Sequence, residues 1–184
     1  MQLASYVVVR PGIQGLANFL IRLRLRAKES HSEVVFEPGD GVDDLMPDGT
    51  CQPDANGALW CASSVAWERL PAWSQRRAGQ RGGVRFKRIV LKPEHWHLQP
   101  YRRDARAAAM LFRKREGDPY SWQLIFGSVW WVLTVIWRPS RLKAVCSQIC
   151  AQAGGARGAW RFDPAVLRRA IEAENRDCSG REHG

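Results

Sequence analysis

Two residues of this sequence, Cys146 and His31, are of the types that together perform nucleophilic catalysis. Cys146 lies at the start of a short predicted helix over 145–153. A thiol at a helix N-terminus has its thiolate stabilised by the helix dipole and by unpaired backbone N–H groups, which lowers its pKa. Free cysteines are more often small buried hydrophobic residues, and that structural explanation is sufficient for Cys146 taken alone.

His31 is the candidate base for this thiol. It stands near the start of a predicted strand over 30–37, and Glu33 follows two residues later on the same face of that strand. A histidine placed there could take the thiol proton, and a nearby carboxylate could hold the ring and its tautomer. A histidine satisfied by a backbone hydrogen bond is the competing explanation for His31 alone.

The other histidines raise the question of a metal. His95 and His97 share one face of a predicted short strand, as two metal ligands would. No further ligand set is evident in the sequence, and the acidic loop does not match the spacing of an EF-hand. The sequence therefore predicts neither a metal nor a cofactor.

The elements that must position these residues are strands early in the chain and helices late. Strand patterns cover 4–9, 30–37, 58–65, 83–91 and 95–101. Helical spacing and helix-start signals cover 13–28, 104–116, 121–137, 145–153 and a segment opening at Pro164. This order predicts an α+β fold in which a mostly antiparallel sheet packs against helices. We expect one domain over 1–175, with an acidic loop inserted at 38–57 and a flexible C-terminal tail at 176–184.

Composition places the chain among globular proteins. It has 184 residues, of which 45% are hydrophobic and 25% charged, so a core can form without disulfides or metal. Five cysteines at irregular spacing and no signal peptide predict reduced thiols in a cytoplasm. The longest apolar run, 124–137, is shorter than the roughly 20 residues that span a bilayer. We therefore expect a buried helix there and no integral membrane span.

The charge of the chain is strongly basic. The formal net charge is +10, mostly from arginine, while the loop 38–57 is rich in aspartate. Such a charge favours weak nonspecific binding to polyanions. A solvated basic surface is the simpler explanation, because no nucleic-acid-binding motif is present.

Several short motifs occur in an order that resembles one family. They are SHSEVV at 30–35, LWCAS at 59–63, GGVRFK at 82–87, Trp96, GDPYSW at 117–122 and CSQIC at 146–150. The chain resembles the circularly permuted branch of the NlpC-type papain-like cysteine hydrolases, the YiiX-like proteins, and particularly members carried by phages and prophages. In that family a strand beginning sHvE supplies the histidine, and a later CSE helix supplies the nucleophile. The resemblance covers roughly residues 4–165.

The resemblance implies a papain-like fold in permuted order, with the histidine strand first and the cysteine helix late. It implies that Cys146 is the nucleophile and His31 the general base. Tyr120 and the backbone N–H of Cys146 would form the oxyanion site. Glu33 and Ser63 are the two candidates for the third polar residue of the catalytic site, beside the cysteine and the histidine.

Two positions depart from the family pattern. Gln148 replaces the glutamate that usually follows Cys-Ser, and Ser121 replaces the aspartate of the G-x-P-Y-D-W turn. Neither position needs to be catalytic. The departures nevertheless leave room for a degenerate enzyme.

The function that the resemblance implies is a cysteine peptidase or amidase acting on bacterial cell-wall peptidoglycan in a phage context. Lipid acyl hydrolysis or acyl transfer fits the same Cys-His chemistry, with an acyl amide or ester as substrate. The alternative is a non-catalytic module that binds phage tail or virion proteins. The expected location is the bacterial cytoplasm before assembly, with association with the virion afterwards.

Overall fold

The computed structural model of the chain describes residues 1–8, 29–74, 76–120 and 145–181. They form an α+β fold, as predicted, in which a five-stranded antiparallel sheet packs against three helices. The strands are β1 (Gln2–Tyr6), β2 (His31–Phe36), β3 (Leu59–Arg69), β4 (Arg81–Ile89) and β5 (Trp96–Pro100). The helices are α1 (Ala105–Arg115), α2 (Cys146–Ala153) and α3 (Pro164–Arg181). Their order in the sheet is β4-β3-β2-β1-β5.

One face of the sheet forms the main core with the helices. Val34 and Phe36 on β2 and Phe86 on β4 are fully buried there. The ring of Phe86 packs edge-on against Phe112 of α1, with centroids 6.1 Å apart. Because side chains alternate along a strand, His31, Glu33 and Arg85 belong to the opposite face.

The strand order brings β2 and β4 to either side of β3. Arg85 on β4 is directly opposite Ser63 on β3. Strand β2 pairs with β3 from Val34↔Ala62 to Phe36↔Trp60, and Ser63 follows directly after the last paired residue of β3 on that side. A small residue at position 63 therefore lets a long side chain on β4 reach across β3 to β2.

The helix boundaries follow local signals in the sequence. Asp104 caps α1 by accepting a hydrogen bond from the backbone N–H of Ala107 at 2.9 Å, as predicted. Pro164 begins α3, where the Asp163 carboxylate accepts from the backbone N–H of Val166. The helix then continues to Arg181. No glycine or proline stands between Pro164 and Gly180, so the sequence has no helix breaker there.

The acidic loop is packed onto the body of the protein. Val42, Met46 and Cys51 of this loop are buried in the core, while its residues Asp44 and Asp48 are exposed. The Asp48 carboxylate accepts hydrogen bonds from Trp60 Nε1 and from Arg88, at 2.9 and 2.7 Å. These bonds give the acidic residues partners that sequence spacing could not reveal.

Some predicted elements cannot be compared with the structure. The predicted helices over 13–28 and 121–137 lie outside the described residues, as does Ser121. The first strand covers Gln2–Tyr6, two residues before the predicted 4–9 at its start. Within the described ranges, no helix is long and apolar enough to cross a membrane.

Candidate active site

The candidate nucleophile, Cys146, is the first residue of α2 and only 6% exposed. Burial alone would raise the pKa of this thiol. The charge of His31 and a hydrogen bond with its ring oppose that effect, as do the backbone N–H groups of Ser32 and Ser147, and the pKa of Cys146 is lowered overall. These contacts stabilise a thiolate, so the arrangement matches the chemistry expected of a thiol at a helix N-terminus.

The candidate base, His31, lies between the thiol and a carboxylate. Its Nε2 is 2.7 Å from Oε1 of Glu33, which leaves Nδ1 as the ring nitrogen for Cys146. Burial would lower the pKa of His31, but the Cys146 thiolate and the Glu33 carboxylate raise it to about 9. The two shifts favour a thiolate–imidazolium pair over a neutral thiol beside a neutral imidazole.

The carboxylate of Glu33 is fully buried and held by Arg85. The guanidinium of Arg85 donates two hydrogen bonds to it, Nη1 to Oε2 at 2.8 Å and Nη2 to Oε1 at 2.7 Å. Burial would raise the pKa of Glu33, but the charges of Arg85 and His31 lower it to about 2. Glu33 is therefore an anion with both oxygens fixed in place.

Arg85 is itself anchored on its outer side. The guanidinium, 3% exposed, lies 3.3 Å from Oε2 of Glu68, which also forms an ion pair with Lys87. Sequence reasoning did not single out Arg85 or Glu68. The alternation along 83–91 showed that Arg85 points away from Val84 and Phe86, but the strand order that brings it to Glu33 has no local signal.

Ser63, the second candidate for the third polar residue of the site, is buried near Cys146 and His31. Unlike Glu33, it does not contact the His31 ring. Its hydroxyl donates to the backbone carbonyl of Ser32 at 2.6 Å, so its single O–H is not directed at His31. Cys150 Sγ lies 3.6 Å from the same carbonyl. Ser63 and Cys150 thus hold the backbone of Ser32, whose N–H contacts the Cys146 sulfur.

The predicted oxyanion residue, Tyr120, lies close to the thiol. Burial and the neighbouring Cys146 thiolate raise the pKa of Tyr120 well above its ordinary value, so the phenol keeps its proton. The turn that carries it is fixed to β4, because Gly117 N–H donates to the Val84 carbonyl and Val84 N–H donates to the Asp118 carbonyl. The structure therefore brings together Cys146, His31, Glu33 and Tyr120.

A cavity of about 360 Å³ lies next to this cluster. Its lining residues are Val7, Glu29, Pro93, Trp96, His97 and Arg168. Of these residues, Trp96 lies edge-on to the His31 ring, with centroids 6.4 Å apart, while none of the four clustered side chains lines the cavity. His97 is paired with Glu172 at 3.4 Å, and the described part of the chain holds no cluster of three or more metal-ligating side chains.

Comparisons of the chain with protein families, with curated proteins and with solved structures find no match. The resemblance to the permuted NlpC-type hydrolases therefore rests on the short motifs alone. The case for thiol chemistry at this site rests on the geometry of the four clustered side chains and of Arg85.

Proposed function

We propose that the chain is a cysteine hydrolase of amide or peptide bonds that works through an acyl-enzyme. The observation that supports this most strongly is the continuous series of contacts from Cys146 through His31 to Glu33. A thiolate at a helix N-terminus, a histidine beside it and a carboxylate behind the histidine are the parts that nucleophilic thiol catalysis requires.

In the proposed reaction the Cys146 thiolate attacks the carbonyl carbon of the substrate, and a C–S bond forms. The Tyr120 hydroxyl and the backbone N–H of Cys146 stabilise the oxyanion. The His31 imidazolium gives its proton to the leaving amine as the C–N bond breaks, which leaves a thioester. Neutral His31 then takes a proton from water, the hydroxide attacks the thioester, and the thiolate is released.

The proposed substrate is the peptide of bacterial peptidoglycan. This choice rests on the resemblance to phage and prophage members of the permuted NlpC-type family, whose histidine strand also precedes the cysteine helix. The net charge of +10 is consistent with binding to an anionic cell-wall polymer. Acyl amides and esters of lipids fit the same chemistry and belong in the same substrate screen.

One observation favours a second function. Cys146 is only 6% exposed, as a thiol in a non-catalytic domain would be. A degenerate papain-like domain would then act as a structural module in a phage tail or virion. The chemical state of Cys146 separates the two functions, because a packing residue has no reason to be a thiolate.

The test is alkylation of the native protein with iodoacetamide from pH 5 to 9, with each cysteine followed by mass spectrometry. We expect Cys146 to react first, with a thiol pKa below the value of about 8.5 for a free cysteine. Cys178, the partly exposed thiol in α3, is the internal reference. Reaction of Cys146 no faster than that of Cys178 would favour the structural module. If Cys146 is reactive, wild type and Cys146→Ala are compared on purified peptidoglycan and on acyl esters.

A further inference from the structure

We propose that Arg85 is a positioning residue of this site, which acts through Glu33 to fix the orientation of His31 and the charge balance around Cys146. This inference rests on the proposed thiol chemistry. It goes beyond that chemistry because Arg85 comes from a strand that contributes none of the proposed catalytic residues.

The geometry shows that Arg85 holds the Glu33 carboxylate through its two shortest contacts, while its contact with Glu68 is longer, at 3.3 Å. It reaches from β4 across Ser63 to β2 and donates to both oxygens of Glu33, at 2.8 and 2.7 Å. A guanidinium that binds a carboxylate through two parallel bonds fixes its plane as well as its position. Because Oε1 of Glu33 also meets Nε2 of His31, the plane of the carboxylate sets the direction of the imidazole ring.

Arg85 also completes a neutral set of buried charges. The Cys146 thiolate and the Glu33 carboxylate are balanced by the His31 imidazolium and the Arg85 guanidinium. A buried site that loses one of these charges takes up or releases a proton more readily to compensate. Among the residues that the structure describes, the other titratable or charged groups that face this set are Cys61 and Glu68 on β3, Lys87 on β4, Cys150 on α2 and Tyr120.

This balance makes the two partners act in opposite directions on the pH profile. Loss of Arg85 leaves an extra negative charge, so both the thiol and the imidazole hold their protons to higher pH. Loss of Glu33 leaves an extra positive charge, so both release their protons at lower pH. A purely structural salt bridge would lower stability in either case and would not shift the profile in opposite directions.

The experiment measures the rate constant for alkylation of Cys146 by the anionic reagent iodoacetate against pH. The acid limb reports the thiol, and the alkaline limb reports His31, whose positive charge attracts the reagent. We expect Arg85→Met to move both limbs up by about one pH unit or more, and Glu33→Gln to move both down. The double variant Glu33→Gln/Arg85→Met is neutral again, so its limbs return to within about half a unit of wild type. Arg85→Lys keeps the charge but not the paired bonds, so its limbs stay in place while the rate falls about threefold or more.

The matched control is Arg88→Met. Arg88 lies three residues further along β4, on the other face of the sheet, where it pairs with Asp48 at 2.7 Å. This variant removes one positive charge from the same strand without touching the site, so both limbs should remain at their wild-type positions. Circular dichroism checks that each variant folds. If Arg85→Met does not fold, the double variant and Arg85→Lys test the role of Arg85.

The outcomes separate the two proposals. If wild-type Cys146 shows no low-pKa reactivity, the proposed function is wrong and the role of Arg85 is wrong with it. If wild type shows a bell-shaped profile, the proposed function is retained. A profile left in place by Arg85→Met, or a double variant that does not return toward wild type, then overturns the role of Arg85 alone.

Discussion

The Nε2 atom of His31 lies 2.7 Å from Oε1 of Glu33, two residues further along β2. Residues two apart on a strand lie on the same face, so the formation of β2 is by itself sufficient to bring these two side chains together. The thiol that completes the pair is more than 100 positions away in the chain and arrives through the packing of α2. The pairing of His31 with Glu33 is thus a local feature of β2. The contact of His31 with the Cys146 thiol depends on the tertiary fold.

The first prediction concerns the role of His31 in activating the thiol. In His31→Ala the thiolate loses its charge partner and a hydrogen bond, so the apparent pKa of Cys146 rises and alkylation at neutral pH slows about tenfold or more. Mass spectrometry of the alkylated protein measures both quantities. His97→Ala, which removes an exposed histidine 3.4 Å from Glu172, is the control and should leave the rate unchanged. Unchanged reactivity in His31→Ala would remove this histidine from the site.

The second prediction distinguishes the two candidates for the third member. Glu33 contacts the imidazole, whereas Ser63 donates to the Ser32 carbonyl. We expect Glu33→Gln to lower the maximum alkylation rate of Cys146 about tenfold because the imidazole loses its orientation, even though both limbs move to lower pH, and Ser63→Ala to lower that maximum less than threefold. The same alkylation assay compares them. Equal and negligible losses would mean that neither side chain orients His31.

Much of the fold could be predicted because its signals are local. The carboxylates of Asp104 and Asp163 accept hydrogen bonds from backbone N–H groups three residues later, and the alternation along β2 places His31 and Glu33 together. Arg85 could not be predicted as a partner of Glu33, because that contact depends on β3 lying between β2 and β4. The partners of the acidic loop were missed for the same reason, since Arg88 and Arg106 are distant in sequence.

The third prediction concerns stability in acid. The pKa of Glu33 is about 2, below its ordinary value of 4.5, so the folded state binds this proton less readily than the unfolded chain. The stabilisation is fully present above about pH 4.5 and is lost as the pH falls towards 2, for a total of order 3 kcal/mol. Urea unfolding midpoints at several pH values measure this loss.

The reference protein for that measurement is Glu33→Gln/Arg85→Met. It lacks both buried charges, while Glu68 keeps its ion pair with Lys87. The free energy of unfolding of wild type should fall more steeply between pH 4.5 and 2 than that of the double variant. Parallel slopes for the two proteins would show that Glu33 is not held as an anion by its partners.

The last prediction tests whether the turn that carries Tyr120 needs a glycine at 117. Gly117 has φ +81°, and a Cβ there would lie 2.4 Å from the backbone oxygen of Arg76. Gly79 has nearly the same conformation, φ +75°, with nothing within 4 Å of a Cβ. Alanine at either position bears the cost of left-handed backbone, about 1 kcal/mol, but only Gly117→Ala must also move a backbone segment.

We therefore expect Gly117→Ala to lower the free energy of unfolding by about 2 kcal/mol or more, and Gly79→Ala by about 1 kcal/mol. Because Gly117 N–H bonds the Val84 carbonyl, a displaced turn also moves Tyr120 relative to Cys146. Gly117→Ala should accordingly change the alkylation rate of Cys146 while Gly79→Ala does not. Equal losses of stability in the two variants would show that the backbone at Arg76 yields freely, and the turn would then need only a left-handed residue at 117.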